Sequence, residues 1–172
     1  LGANTDGFSN TAVGADALPK NTTGDYNVAI GQFASEENTT ANRNTSVGTF
    51  ALEKTTTGGF NTALGGWALQ LNTTASSNTG VGYNALNANT TGTFCTAVGR
   101  AALESNTTAN DNTAVGYRSA DALTTGTRNT AVGENSLSDA TTATNSVCIG
   151  VDAGENITTG NDNVMIGKSA GN

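Results

Sequence analysis

An aliphatic side chain stands immediately before a glycine every seventeen residues along this chain. The glycines are Gly14, Gly31, Gly48, Gly65, Gly82, Gly99, Gly116, Gly133, Gly150 and Gly167. The residues ahead of them are Val13, Ile30, Val47, Leu64, Val81, Val98, Val115, Val132, Ile149 and Ile166. Ten in-phase copies without an insertion mark a repeat architecture, in which each unit stacks on the next. Two residues ahead of the aliphatic column stands Thr or Val in every copy, from Thr11 to Val164. That period of two predicts a short β-strand with both columns on one face, and β-branched residues favour it. The aliphatic column is therefore assigned to the structural core, with the Thr/Val column packed inward beside it.

A second apolar column lies four residues after the glycine: Leu18, Leu52, Leu69, Leu86, Leu103 and Leu137, interrupted by Ser35, Ala120, Gly154 and Gly171. The residue before it is always Ala or Ser, as expected where another backbone approaches closely. A Thr-Thr-Gly or Thr-Thr-Ala turn follows, its first Thr present in every copy from Thr5 to Thr158. Asn opens the strand word in all copies but two, where Cys95 and Ser146 stand instead. Stacked amides can hydrogen-bond along such a column. The fold class is all-β: a β-solenoid of ten 17-residue coils forming one array over residues 1–172. At about 4.8 Å per rung, ten rungs make a rod of roughly 50 Å. The array opens in the Leu column at Leu1 and closes one position past it at Asn172, which reads as a window on a longer fibre, uncapped at both ends.

Composition changes the picture in one respect. Leu, Ile, Val and Phe together make up 29 of 172 residues, below the level of about 20% at which a conventional core becomes doubtful. Thin stacked layers need only a few apolar residues each. A net charge of −7 with no basic stripe argues against a nucleic-acid partner. No apolar run is long enough to span a bilayer, so no membrane contact is expected of this segment.

Candidate chemistry is sparse. The chain has no His, which removes the usual catalytic triads and zinc sites. Cys95 and Cys148 lie on unlike columns three rungs apart, roughly 14 Å by the rung spacing. That is too far for a disulfide, so both read as free, buried thiols. Asp111 and Asp162 sit among Asn residues without the bidentate Glu of a calcium loop. Glu36, Glu37, Glu53, Glu104 and Glu155 fall mostly in one turn column and read as exposed, solubilising charge. The expectation is a protein that is not an enzyme, with no metal and no cofactor. Asn-x-Thr/Ser sequons at Asn21, Asn38, Asn44, Asn72, Asn89, Asn106 and Asn156 read as a by-product of the turn.

Residues 22–31 read Thr-Thr-Gly-Asp-Tyr-Asn-Val-Ala-Ile-Gly, with Ser146-Val147-Cys148-Ile149-Gly150 and Asn163-Val164-Met165-Ile166-Gly167 as variants. This resembles the head repeat of trimeric autotransporter adhesins of the YadA type, whose coil runs A-T-G-x-x-S-V-A-I-G. It is similar also to repeat regions of trimeric phage tail fibres. The coil here is longer than the adhesin family's, and the extra residues lie between the glycine and the Thr-Thr turn. The resemblance implies a parallel β-roll, a homotrimer around a common axis, and a place in an extracellular fibre, on a bacterial cell surface or a phage virion. The implied role is attachment, with a host-surface glycan or protein as receptor.

For receptor contact the candidates are Phe33, Phe50 and Trp67, which share a column on three successive rungs, with Tyr83 and Tyr117 in the column beside it. Aromatic anchors dominate recognition contacts, but an aromatic ladder also stiffens adjacent strands. An ice-binding β-solenoid is a further reading. The inward assignment of the Thr column and the opposite facing of adjacent Thr-Thr side chains weigh against it.

Overall fold

Each copy of the repeated word folds into one three-residue strand. In the computed structural model, which describes residues 1–172, ten strands run from β1 (Thr11–Val13) to β10 (Val164–Ile166). They form one parallel sheet in sequence order. The register never slips: Thr11 pairs with Val28, Thr62 with Thr79, and Thr130 with Val147. The chain is thus an all-β parallel solenoid, one coil per 17 residues, with no helix.

The strands are short, yet the ladder does not stop at their ends. Of 109 backbone hydrogen bonds, 91 lie outside the strands. Most of them continue the rung-to-rung pattern around the coil, as where Leu69 N donates to Ala85 O and Thr56 N to Thr73 O, and the rest close turns within a coil, as where Ala68 N donates to Gly65 O. Stacking therefore satisfies the backbone of the corners as well as that of the sheet. The corners are tight. Phe33, Leu52 and Tyr26 are examples of side-chain-bearing residues held at φ near +50° to +60°, a conformation costing about 1–2 kcal/mol apiece. The glycine after each strand meets a stricter demand. Gly82 has φ of 135°, and a Cβ there would stand 2.4 Å from the carbonyl oxygen of Gly99 on the next rung.

The strand faces the other way from the expected one. Its middle residue is the buried one: Ala29, Ser46, Ala63, Ala97, Ala114, Ala131 and Cys148 point into the coil. The outer two residues face away. The column assigned to the core (Val13, Ile30, Val47, Leu64, Val81, Val98, Val115, Val132, Ile149, Ile166) therefore lies on the outer surface of the chain. Leu64 is 47% exposed and Ile149 38%. The Thr/Val column shares that face and is not inward either. The reason is the narrow coil. The opposite wall already supplies the Leu column, with Leu18, Leu52, Leu69, Leu86, Leu103 and Leu137 all fully buried. A Cβ added at Gly80 would lie 3.3 Å from Leu69 Cγ. Only a small residue fits between sheet and Leu wall, so the larger pair must point out.

Interruptions of the Leu wall are matched by the strand opposite. Where Ser35 replaces Leu, its Oγ lies 2.9 Å from that of Ser46. Where Gly154 and Gly171 replace it, the strand carries Cys148 and Met165, whose sulfurs occupy the space a Cβ would need. Beside Ala120 the buried Leu123 stands in the same coil.

Two buried Asn columns tie the rungs together. In the column that opens the word, Asn27 donates Nδ2–H to Ala41 O and accepts the Asn44 N–H on Oδ1. Asn44, Asn61 and Asn129 repeat the pattern. The second column, just before the Thr-Thr turn, is a side-chain ladder. Asn21 donates to Asn4 at 2.9 Å, Asn38 to Asn21 at 2.8 Å, and Asn106 to Asn89 at 2.9 Å. Leu123 ends that ladder, which leaves Asn106 Oδ1 without a partner.

Candidate interaction surface

The surface carries no pocket, and no three His, Cys, Asp or Glu side chains gather as a metal site. What the fold presents instead is a set of long columns, one residue per rung. Cys95 and Cys148 are both free and buried. Burial pushes the Cys95 thiol up to about 11 and raises that of Cys148 as well. Neither is poised as a nucleophile. The turn glutamates are not the exposed charges expected: Glu36, Glu37, Glu104 and Glu155 are half-buried, and Glu53 is buried and accepts a 2.6 Å bond from Gln70 Nε2. Asp121 is buried too and accepts from Arg118 Nε at 2.7 Å.

The predicted aromatic column is a continuous stack. Phe33 and Phe50 lie 5.0 Å apart at 18°, and Phe50 and Trp67 5.7 Å apart at 27°. Tyr83 closes the run edge-on to Trp67, at 5.2 Å. Near-parallel rings spend their faces on one another. A sugar ring recognised by an aromatic needs a free face, and the inner rings of this stack have none to give. Tyr83 and Tyr117 are the exposed members, and Tyr117 already lies under the Arg100 guanidinium, 5.4 Å from the ring centroid.

A second aromatic ladder runs along the opposite border of the sheet. Phe8 meets Tyr26 edge-on at 5.1 Å, and Arg43 lies 5.4 Å from Tyr26 and 5.3 Å from Phe60. Phe94, in the column of Tyr26 and Phe60, is 64% exposed. The 17-residue period shows this column as plainly as the other. Its mixture of Tyr, Arg, Phe, Ser and Asp hides it unless the rungs are aligned.

Between the two ladders lies the outward face of the sheet. It carries the Thr/Val column and the aliphatic column over ten rungs. Nine intervals at about 4.8 Å make it roughly 43 Å long, and outward neighbours along a strand are about 6.7 Å apart. Exposed columns border it on both sides. One, two residues before each strand, runs from Ser9 through Tyr26, Phe60 and Phe94 to Asp162. The other, two residues after each strand, runs from Ala15 through Tyr83 and Tyr117 to Lys168.

No protein-family model matches the chain, and no curated protein or solved structure matches it significantly.

Proposed function

We propose that this chain is a structural and adhesive segment of a trimeric extracellular fibre, in which copies pack through the outward sheet face. The observation that carries the reading is the aliphatic column. Residues such as Leu64, Val115 and Ile149 face solvent in the single chain, all in one column of the same sheet face. Contiguous apolar faces of this length mark association surfaces. With its two borders the face measures at most about 20 Å by 43 Å, near the roughly 800 Å² that one partner contributes to a stable interface. The ten identical rungs also suit a rod: stiffness comes from Asn ladders and ring stacks that repeat along the axis. A fibre of this kind attaches a bacterial cell or a phage virion to a host-surface glycan or protein. The stacked Phe33, Phe50 and Trp67 favour a stiffening role for those rings over receptor contact. Substituting Val81→Asp and Val98→Asp tests the reading. The coil keeps its fold, because neither side chain enters the interior, and assembly is lost. Unchanged assembly would remove the face from the account.

A second reading is favoured by one observation. Thr45, Thr62, Thr79, Thr96, Thr113 and Thr130 face outward in a straight column on a parallel sheet. Regular outward Thr on a flat wall is the arrangement an ice-binding solenoid presents. The same face cannot be buried in a trimer and hold ice, so thermal hysteresis from a monomer would select this reading.

A further inference from the structure

We infer that the slot between Phe60 and Phe94, floored by Ser77, is a binding site for the guanidinium of an arginine carried by a partner protein. The slot belongs to the single chain and does not depend on how copies associate.

Tyr26, Arg43, Phe60, Ser77 and Phe94 occupy one column on five successive rungs. Their backbones are alike, with φ of 58°, 57°, 61°, 63° and 58°, so each side chain leaves the coil in the same direction. Arg43 fills the interval between Tyr26 and Phe60. Its guanidinium carbon lies over both rings, 5.4 Å from one centroid and 5.3 Å from the other. That contact uses one face of Phe60. The other face looks along the axis toward Ser77, and Phe94 bounds the interval from the far side, about 9.6 Å away at two rungs. The Ser77 side chain is exposed and too short to enter the space between the rings.

Three features select a guanidinium as the occupant. The same column already builds this sandwich around Arg43, and Arg100 lies over the Tyr117 ring on the opposite border. Phe60 and Phe94 are 58% and 64% exposed, the most exposed large apolar side chains outside the first and last strands, so their faces are open to a ligand. Charge favours a cation: Asp111 stands one rung beyond Phe94, exposed and outside every ion pair of the chain, whose net charge is −7. Arginine fits better than lysine, because a planar, weakly hydrated guanidinium lies flat against a ring on each side.

NMR of isotope-labelled phenylalanine in the full chain tests this, with the tripeptides Gly-Arg-Gly and Gly-Lys-Gly as probes. Gly-Arg-Gly shifts the Phe60 and Phe94 ring resonances saturably, at one site per chain, and Gly-Lys-Gly binds more weakly. Phe94→Ala removes one wall and weakens binding about two- to fivefold. Ser77→Arg fills the slot from within and abolishes the saturable shift. Arg43→Ser opens the equivalent interval between Tyr26 and Phe60 and gives two sites per chain. Equal binding of the two peptides, or an Arg43→Ser chain that still holds one peptide, would overturn the inference. Tighter binding of tetramethylammonium than of Gly-Arg-Gly would overturn the arginine as occupant. The same titration on the Val81→Asp, Val98→Asp variant separates this site from the assembly: binding there but not in the parent would mean that a neighbouring copy covers the slot, which overturns the partner and leaves the assembly standing.

Discussion

Ser35 and Ser46 face each other across the interior of one coil, Oγ to Oγ at 2.9 Å, where neighbouring coils place Leu against Ala. Each hydroxyl is the reason the other is tolerated. Ser46→Ala alone leaves Ser35 without its side-chain partner and costs about 1–3 kcal/mol. The double change Ser35→Leu with Ser46→Ala returns the coil to the common pattern and is at least as stable as the parent. Thermal unfolding of the three variants checks this; a double variant no better than Ser46→Ala would contradict it.

The strand-end glycines are fixed by space as well as by φ. Gly82→Ala forces a Cβ against the Gly99 carbonyl at a φ that side chains avoid, and we expect a loss of at least about 3 kcal/mol. Gly66→Ala is the control, since a Cβ there meets nothing closer than 3.8 Å. Equal melting temperatures for the two variants would show that the close approach is not rigid.

Cys95 interrupts the Asn ladder. Its Sγ donates to Ala109 O at 3.3 Å, in place of the amide donor of other rungs, but sulfur is a weak acceptor for the Asn112 N–H above it. Cys95→Asn therefore completes the ladder from Asn78 to Asn112 and stabilises by about 1–2 kcal/mol. A fall in melting temperature would mean the site cannot hold an amide.

The same burial sets a pH dependence. Desolvation pushes the Cys95 thiol from an ordinary 9.0 up to about 11. The unfolded chain then loses its proton first as pH rises. The contribution to stability is intact below about pH 9 and falls by up to about 1.4 kcal/mol per pH unit until the folded thiol titrates near 11. At pH 8 the thiolate is about a hundredfold scarcer than in an unfolded chain, so alkylation of the folded protein is slower by about that factor. Mass spectrometry with and without denaturant reads the ratio, and equal rates would contradict the burial.

Period, coil number, stacking and the existence of a second apolar column of Leu are legible in the sequence, because a repeat displays each structural column ten times over. The facing of the strand was not. Alternation says that Val13 and Thr11 share a face, but it does not say which face. The intuition that aliphatic residues go inside failed because the coil is too thin for them. The clue was the residue between, Ala in six of the ten rungs, whose size matches an interior one side chain wide. The second Asn column hides in the sequence as a by-product of the turn, since Asn21, Asn38 and Asn72 also spell sequons. Their amides are buried and committed to the ladder. Glycosylation at any of them is therefore incompatible with the folded coil.

The facing of the strands makes self-association the central claim, and solution mass by light scattering tests it most directly. The account predicts three times the 17.1 kDa of one chain, lost on Val81→Asp with Val98→Asp. A stable monomer with its aliphatic column open to water would contradict it.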